Sequence, residues 1–564
     1  MSVSAQIRLG VREKLTGPRG PFEIVEENVL GERMRVFKQR ARSLRELLRA
    51  SATHGDEEYL VHGEKRISYA QHLAQVAAFA SVLSQRYGIG KGDRVAILAA
   101  NCAEWPVAFW STVSLGGIVA ALNGWWTPDE IAYGVADCAP RLLIADRARL
   151  ERAKSLGLAV ATLEIESELA ELLRSAPAAA LPEVPIAEDD PAVILYTSGT
   201  TGRPKGALAS HRGVVGFVQC AAYAGAEQAL SELAASGTAP AAAPPRRQGI
   251  TLATSPMFHL SGLYATIALQ LAFGGKLVIR SGRFDEAEVI RLMAKERVSA
   301  FAALGSMGPR LARHPELAKH DLSCVESVGF GGAPVSPAVQ QLLREAFPNA
   351  SSAQGIGYGS SESVSAPTTI RGAEYKLHPT SAGRVIPTHE LEIRDEHGKA
   401  LPDGVEGEIH IRSAYLMLGY WGKPEATAAT LKPGRWLATG DIARFEGDLL
   451  YINSRARDMI LRNAENVYPV EIEYRLEQHP SVREATVFGV DHEEWGQQVK
   501  AVVVPENGVR VEPAELARWC GKTLAAYKVP TAWEVRAEAL PRNASGKVLK
   551  DVVRGAVKSA FLEE

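Results

Sequence analysis

The sequence has 564 residues and a mass of 60.6 kDa, which is too large for one hydrophobic core and predicts about four compact units at roughly 150 residues each. Apolar residues make up 46% and charged residues 23%, a balance that excludes disorder or a coiled coil for most of the chain. The 63 basic residues against 65 acidic residues give a net charge of −2, which argues against a dedicated nucleic-acid-binding protein.

In chain order, the pattern begins with an N-terminal arm of mixed charge. From about residue 44 to 190, short apolar runs such as RVAILAA alternate with helical patterns such as ISYAQHLAQVAAFASVLSQRYG, and the alternation returns from 251 to 362. This predicts parallel sheets covered by helices. Between about 382 and 453 the helices give way to short strands punctuated by Gly, Pro and Asp, which predicts a small β-barrel or sandwich.

The last hundred or so residues have the pattern of a small α+β domain. The expected fold is therefore of the α/β class, with these parts: an arm over 1–43, a large domain over 44–456 with its β-rich subdomain at about 382–453, and a small C-terminal domain over 457–564. The Ala- and Pro-rich stretch from Leu230 to Gly249 predicts a mobile surface loop.

The cysteines and the apolar stretches indicate in which cellular compartment we expect the protein. The five cysteines are far apart, with no CxxC pair and no histidine at ligand spacing: Cys102, Cys138, Cys220, Cys324 and Cys520. We therefore expect a reducing cytoplasm and no structural zinc. The longest apolar stretches are interrupted before they reach the roughly 20 residues of a membrane span, and the N-terminus lacks a secretory signal pattern.

The most informative segment is AVILYTSGTTGRPKGALASHRG, residues 192–213, in which an apolar strand ends in hydroxyls and glycines. Its hydroxyl and glycine positions are Thr197, Ser198, Thr200 and Thr201 with Gly199, Gly202 and Gly206. Such a loop turns backbone amides onto one centre, and Lys205 adds a positive charge, which predicts a phosphate-binding nest. It is not a P-loop, since Pro204 precedes Lys205 and no GKS or GKT triplet is present. The alternative is a hydroxyl-rich turn.

This segment resembles the TSGTTGxPKG signature of the adenylate-forming superfamily, which includes acyl-CoA synthetases, aryl-CoA ligases, luciferases and nonribosomal peptide adenylation domains. Further motifs resemble the family's in the same order: GYGSSES at 357–363, TGD at 439–441, SRARDMILRNAENVYPVEIE at 454–473 and PRNASGKVLK at 541–550. The resemblance covers about residues 44–550 and implies an acid-thiol ligase that uses ATP, Mg²⁺ and coenzyme A.

The resemblance also implies roles for individual residues in nucleotide binding. The adenine would lie against the GGAP loop and the alternating glycine strand, at Gly332, Ala333, Gly357, Tyr358 and Gly359. Asp441 would accept the ribose hydroxyls with Arg455 nearby, Ser361 would bind the α-phosphate, and Glu362 would supply a hard oxygen to Mg²⁺. The alternative for Asp441 is a purely structural role as a turn-forming residue.

Catalysis would depend on Lys547, which in the family enters from the small domain and bridges the carboxylate and the α-phosphate. Rotation at a hinge, here Arg457, would then present the segment around Asn463 to the pantetheine arm of coenzyme A. The family usually has Gly-Gly where this chain has Asn463 and Ala464. Because the alanine adds a methyl group, transfer to a carrier-protein phosphopantetheine or another acceptor stays open, as does a catalytically silent adenylate-binding regulator.

The acid would lie among His259, Phe330 and the segment 301–308, from which Ala303, Gly305 and Met307 would line the pocket. Small residues there predict a roomy, uncharged pocket, which favours a medium- or long-chain fatty acid or a bulky apolar acid over an amino acid. The basic arm is expected to pack on the large domain, and weak peripheral membrane contact is the alternative. A homodimer is an open alternative for the quaternary state.

Overall fold

The structure is a computed structural model of the chain. It describes residues 3–175, 177–197, 203–237, 247–280, 282, 284–332, 335–455, 458–462, 465–492, 495–543 and 546–555.

The α-helices of these residues are, in chain order, α1 Val3–Thr16, α2 Leu44–Ala50, α3 Tyr69–Tyr87, α4 Glu104–Ser114, α5 Pro128–Cys138, α6 Arg147–Lys154, α7 Ala170–Ser175, α8 His211–Ser236, α9 Leu260–Gly262, α10 Leu269–Phe273, α11 Glu286–Glu296, α12 Met307–Arg313, α13 Pro337–Ala346, α14 Gly372–Leu377, α15 Pro424–Thr430, α16 Pro469–Glu477, α17 Pro513–Gly521 and α18 Lys550–Val553. A π-helical segment, Leu263–Ala268, joins α9 to α10.

The strands are β1 Ile24–Val29, β2 Glu32–Phe37, β3 Glu58–His62, β4 Lys65–Ser68, β5 Arg94–Leu98, β6 Ile118–Ala121, β7 Leu142–Ala145, β8 Ala161–Glu164, β9 Pro191–Thr197, β10 Lys205–Ser210, β11 Ile250–Ala253, β12 Lys276–Ile279, β13 Ala300–Ala302, β14 Ser327–Phe330, β15 Gly355–Tyr358, β16 Thr368–Arg371, β17 Arg384–Val385, β18 His389–Arg394, β19 Gly407–Ser413, β20 Gly419–Tyr420, β21 Leu431–Lys432, β22 Trp436–Glu446, β23 Leu449–Arg455, β24 Ile460–Arg462, β25 Glu465–Val467, β26 Val482–His492, β27 Gly496–Pro505 and β28 Ala532–Val535.

Two large sheets form the first part of the chain. One has seven strands in the order β20-β10-β9-β6-β5-β7-β8, and the other has nine in the order β17-β16-β15-β14-β13-β11-β12-β3-β4. The central pairs of both sheets are parallel, whereas the edge pairs β9-β10, β15-β16 and β3-β4 are antiparallel. The expected α/β class is therefore confirmed.

The β-rich part that follows is an antiparallel sheet in the order β18-β19-β22-β21, with β23 paired to β22. After it comes the small C-terminal domain, a sheet in the order β25-β24-β27-β26 with β28 beside β27. Helices α16 and α17 cover this sheet, and its own apolar cluster includes Ile472, Val487, Val503 and Leu516. The small domain therefore has a hydrophobic core of its own.

Local signals explain where the helices begin and end. Ser68 and Gln71 form a reciprocal capping box at the start of α3, and Gly88 ends the helix with a φ of 62°. Thr127 and Glu130 form the same box at the start of α5. Helix α4 is buried along its whole length and is followed by buried strand β6, so the long apolar stretch at 107–122 belongs to the core.

In the described part of the chain, no helix combines the length and the apolar character needed to cross a membrane.

We expected a surface loop from Leu230 to Gly249, but the first part of this stretch is helical, because α8 continues through Ser236. Residues 238–246 of that stretch lie outside the described residues.

The N-terminal arm packs on the large domain. Val11, Val36 and Phe37 are buried against Tyr223 of α8 and Tyr415. Its basic side chains form ion pairs as well: Arg33 with Glu26, Lys38 with Glu23, and Arg40 and Arg42 with Glu188. Because these cations are already paired with carboxylates, they give no support to contact between the arm and a membrane.

Arg40 is the buried centre of this attachment, with a side chain only 1% exposed. It reaches Glu27 of the arm and Glu188 of the large domain, both at 2.6 Å. Arg40→Ala removes the most buried cation from both carboxylates, while Glu188 keeps its pairs with Arg42 and Arg212. We therefore expect it to lower the free energy of unfolding by about 2 kcal/mol. Chemical denaturation measures this change.

Arg33 provides the matched control for this prediction. It forms the same kind of pair with Glu26, but their side chains are 71% and 59% exposed. Arg33→Ala should therefore change stability by less than about 1 kcal/mol. Equal losses in the two variants would contradict the anchoring role of Arg40.

Candidate active site

The motif residues gather where strands of the two large sheets end. Strand β9 ends at Thr197, and Lys205, which begins β10, is its antiparallel partner. Thr197 Oγ1 donates to the Lys205 carbonyl at 3.4 Å. Five residues of the loop between them lie outside the described residues: Ser198, Gly199, Thr200, Thr201 and Gly202. The described ends thus fix where the predicted phosphate-binding segment leaves and rejoins the sheet.

Lys205 and Glu362 meet around Tyr420. Strand β20 pairs with β10, and this places the Lys205 Nζ atom 5.2 Å from the centre of the Tyr420 ring. The Tyr420 hydroxyl donates a hydrogen bond of 2.8 Å to Glu362 Oε1. Burial and the Glu362 charge raise the pKa of Tyr420, so the hydroxyl stays protonated and continues to donate.

Glu362 lies in a turn that hydroxyl groups hold closed. Ser360 N donates to Ser363 Oγ at 2.8 Å, and Ser363 N donates to Ser360 Oγ at 3.2 Å. Val364 ends the turn with a φ of 57°, which is a strained conformation for a β-branched residue. Ser361 belongs to the same turn. The chain therefore holds Glu362 in one fixed place.

The donor set at Glu362 fits a magnesium ion that accompanies a triphosphate. Mg²⁺ usually takes one or two carboxylates from the protein and completes its coordination with phosphate oxygens and water. Tyr420 holds one Glu362 oxygen and thereby orients the carboxylate. Among the described residues, no group of three or more His, Cys, Asp or Glu side chains could hold a metal ion, so an all-protein metal cage is absent from that part of the chain.

Asp441 is held by two partners. It accepts a 2.7 Å hydrogen bond from the Tyr358 hydroxyl, and its other oxygen lies 3.3 Å from Arg455 Nε. The register between β19 and β22 shifts near this point, where Gly440 has a φ of 72°. Burial and the charge of Asp441 raise the pKa of Tyr358 well above its ordinary value. Tyr358, Asp441 and Arg455, predicted to bind the same nucleotide, are therefore direct neighbours.

The glycine strand is less open than we expected. A Cβ atom at Gly355 would lie 2.4 Å from Arg371 Cγ, and one at Gly359 would lie 2.5 Å from the Ser365 carbonyl oxygen. At Gly357 the nearest atom is an ordinary 3.5 Å away. Neighbouring chain therefore fills the space beside Gly355 and Gly359, and only Gly357 of the three has ordinary room for a Cβ atom. Gly332 has a φ of 75°, and Ala333 lies outside the described residues.

The sequence also predicted open space at the small residues of the acid pocket, and this prediction is wrong at two glycines. A Cβ atom at Gly308 would lie 2.8 Å from Ala303 Cβ and 3.0 Å from Leu343 Cδ1, so this glycine lets α12 pack against α13. At Gly305 the space belongs to the small domain, as described below. Phe330 is buried in an apolar cluster that Met307 contacts.

His259 immediately precedes α9, Tyr264 lies in the π-helical segment after it, and each has a buried polar atom. Burial lowers the pKa of His259 to about 4, so its imidazole is neutral at pH 7. Its Nε2 atom and the Tyr264 hydroxyl have no hydrogen-bond partner among the described residues. Buried polar atoms of this kind usually bind something, which makes both atoms candidates for contact with a ligand.

The loop that carries Lys547 is braced from within the small domain. Asn543 Oδ1 accepts from Lys547 N at 2.9 Å, and the Arg542 guanidinium donates to the Gly546 carbonyl at 2.8 Å. Arg542 is also ion-paired with Glu484 at 2.7 Å. These contacts fix the backbone at Gly546 and at the Lys547 amide.

This loop contacts the large domain at the segment after β13. A Cβ atom at Gly305 would lie 2.5 Å from the Gly546 carbonyl oxygen. The two domains also meet through Arg313 and Glu506, whose charged atoms are 3.0 Å apart. The structure therefore brings the Lys547 loop to the end of the nine-stranded sheet. Arg457, Asn463 and Ala464 lie outside the described residues.

Two family models match the chain. One, described as AMP-binding enzyme, matches residues 47–421, which is more than half of the chain. The chain belongs to the AMP-binding enzyme family. A second model, the C-terminal domain of AMP-binding enzymes, matches residues 471–547. This AMP-binding enzyme is an AMP-forming acid-thiol ligase of the acyl-CoA synthetase type, as the sequence motifs predicted.

Named relatives cover most of its length. A feruloyl-CoA synthase from Amycolatopsis is 32% identical, with 87% of this chain and 94% of the relative aligned. A long-chain-fatty-acid–CoA ligase from Mycobacterium tuberculosis is 34% identical over 87% of this chain and 93% of its own. The o-succinylbenzoate-CoA synthetase of Bacillus subtilis, solved with its acyl-adenylate intermediate, has a TM-score of 0.75 at 26% identity and covers 93% of this chain and 100% of that one.

Sequence reasoning missed three side chains of this AMP-binding enzyme. Tyr420 was not singled out, because a GY dipeptide far from Glu362 carries no signal of its own. Arg542 lies inside the predicted lysine motif, and its charge next to the glycine-lysine turn was an available signal. Glu484 lies within strand β26, and only the folded chain brings it to Arg542.

Tyr420→Phe tests the group around Glu362 in this enzyme. Loss of the hydroxyl removes a hydrogen bond to a charged carboxylate, an interaction that contributes about 1.5–3 kcal/mol. We expect kcat/KM for Mg·ATP to fall by about tenfold to a hundredfold. Steady-state kinetics with varied Mg·ATP measures this effect. Tyr87→Phe, at the end of α3, is the control, and equal kinetics in both variants would contradict the role of Tyr420.

Proposed function

We propose that this enzyme activates an apolar carboxylic acid as an acyl-adenylate and then transfers the acyl group to coenzyme A. The first step is RCOO⁻ + ATP → RCO-AMP + pyrophosphate. The second is RCO-AMP + CoA-SH → RCO-S-CoA + AMP + H⁺. The observation that carries the proposal is the contact of the Lys547 loop with the segment after β13 of the large domain. In the large domain itself, Lys205 and Glu362 meet at Tyr420, and Asp441 bonds to Tyr358.

Charge stabilisation is the chemical task of the first step. A carboxylate attacks a phosphate that is already anionic, so negative charge accumulates between the two groups. The Lys547 ammonium, brought by the small domain, stabilises this charge more in the transition state than in the ground state. The enzyme needs no general base, because a carboxylic acid is already ionised at neutral pH.

The remaining groups hold the nucleotide. Asp441 accepts hydrogen bonds from the ribose hydroxyls. Its contacts with Tyr358 and Arg455 support a carboxylate orientation suited to this role. Lys205 and the hydroxyl-rich loop bind the phosphates, and Ser361 contacts the α-phosphate. Glu362 would hold Mg²⁺, which supplies charge neutralisation on the triphosphate when bound.

The second step needs a different arrangement at the same site. Rotation of the small domain at Arg457 withdraws Lys547 and admits the thiol of coenzyme A near Asn463. The Ala464 methyl group is the feature that favours a different acceptor, such as a carrier-protein phosphopantetheine. Thioester formation with free coenzyme A, measured against a carrier protein, separates the two acceptors.

For the acid, we propose an apolar body, either a medium- or long-chain fatty acid or a bulky apolar acid. His259 is neutral, and the remaining predicted pocket positions carry no charge: Ala303, Met307 and Phe330. An amino acid would have to bury its ammonium group here without a carboxylate partner, which is costly.

A phenolic acid is the second candidate. The observation that favours it is the pair of buried polar atoms, His259 Nε2 and Tyr264 Oη, that have no partner in the described part of the chain. The two residues are five positions apart, with Tyr264 in the π-helical segment. A ring hydroxyl or methoxy group on the acid would satisfy such atoms.

Lys547→Ala tests the first half-reaction. Because its charge is needed only when the triphosphate is attacked, acyl-AMP formation should fall by at least about a hundredfold. Thioester formation from supplied acyl-AMP should persist. Pyrophosphate release measures the first step, and Lys522→Ala, an exposed lysine of the same domain, is the control. Near wild-type adenylation in K547A would overturn the assignment, and a wild type that releases no pyrophosphate with any acid would indicate an adenylate-binding regulator.

An acid panel tests the substrate class. Octanoate or palmitate should exceed acetate and phenylalanine by about a hundredfold in kcat/KM, since each buried methylene contributes about 0.8 kcal/mol. If ferulate is preferred instead, Tyr264→Phe should lower kcat/KM for ferulate by about tenfold and leave unsubstituted cinnamate unchanged. A preference for acetate or phenylalanine would contradict both acid classes.

A further inference from the structure

Gly305 and Gly546 bring two backbones from different domains into direct contact. Gly305 follows β13 of the large domain, and Gly546 directly precedes Lys547 in the small domain. A Cβ atom at Gly305 would lie 2.5 Å from the Gly546 carbonyl oxygen and 2.7 Å from Gly546 Cα. One at Gly546 would lie 2.8 Å from both Gly305 Cα and Gly305 N. These distances are shorter than any ordinary carbon contact, so neither position has room for a side chain.

Neither backbone is free to yield. The Gly546 carbonyl oxygen accepts from Arg542 at 2.8 Å, and Gly546 N donates to the Asn543 carbonyl at 2.8 Å. Arg542 is held in turn by Glu484. On the other side, Ala303 N donates to the Gly329 carbonyl at 2.9 Å, which ties the start of the Gly305 segment to the neighbouring strand.

We propose that Gly305 and Gly546 form a backbone-to-backbone docking contact, and that this contact sets the position of Lys547 for adenylation. They are positioning residues, since they act through Lys547 and not on the acid. This proposal rests on the proposed role of Lys547. It also gives Gly305 a different task from the pocket lining that its small size first suggested.

The proposal predicts a loss confined to one half-reaction. An added methyl group at either glycine must push the Lys547 loop away from the β13 segment. A displacement of about 1 Å at a reacting group can cost about a hundredfold in rate. In the second half-reaction the small domain is rotated and Lys547 is withdrawn, so the same methyl group meets no partner.

Backbone strain is the competing explanation, and the chain offers controls for it. Gly305 and Gly546 have φ values of 53° and 81°, where any alanine is strained. Gly63 of the large domain and Gly508 of the small domain have φ values of 59° and 76°, and a Cβ atom at either would have nothing within 4 Å. Alanine at these controls adds comparable strain without a clash.

The experiment compares Gly305→Ala and Gly546→Ala with Gly63→Ala and Gly508→Ala in the full-length enzyme. Single-turnover pyrophosphate release measures adenylation, and thioester formation from supplied acyl-AMP measures the second step. G305A and G546A should lose at least about a hundredfold in adenylation and at most about threefold in thioester formation. G63A and G508A should lose at most about threefold in both steps.

Two results would overturn the docking contact: adenylation in G305A and G546A that matches the controls, or equal losses of both half-reactions in folded variants. Circular dichroism and thermal unfolding establish folding, and the variants lie on opposite sides of the contact, so either alone decides the question. If wild-type enzyme forms no acyl-AMP, the proposed function fails instead. Tryptic cleavage between the domains then tests docking, which should be faster in G305A and G546A than in the controls.

Discussion

In our proposal, the position of Lys547 depends on a contact between two backbones. The small domain has its own hydrophobic core, and its lysine loop is braced internally by Arg542. That loop meets the large domain where Gly305 and Gly546 leave no space for side chains. Main chain deforms far less readily than a long side chain. A contact between backbones therefore restricts the position of the lysine more than an ion pair would. On this proposal, the active site is complete only when this contact forms.

The large domain prepares the other half of the site without help from the small domain. Glu362 is held by a serine-closed turn and by Tyr420, while Lys205 faces the ring of the same tyrosine. Asp441 is held by Tyr358. The charges that would receive a nucleotide under the proposed function are thus in place within the large domain, and the small domain would add one further cation. Electrostatic stabilisation of this kind is strongest when the groups are preorganised.

The local pattern was sufficient for some predictions and not for others. Alternating strands and helices indicated the α/β class, and the motifs indicated Lys205, Glu362, Asp441 and Lys547 as one set. The glycines were interpreted wrongly as free volume. At Gly355 and Gly308 the missing side chain admits Arg371 and Leu343. A sequence shows that a side chain is absent, but it does not show which neighbour occupies the space.

The sequence by itself determined the fold class, because this follows from periodicity. It also predicted the phosphate loop and the residue types of the site, because these predictions follow from short motifs. Only the tertiary structure decided that Tyr420 orients Glu362, that Glu484 braces the lysine loop, and that Gly305 meets Gly546. Each of these pairs joins segments that are distant in the chain. Their contact depends on how sheets and domains pack, and no local pattern of residues encodes that packing.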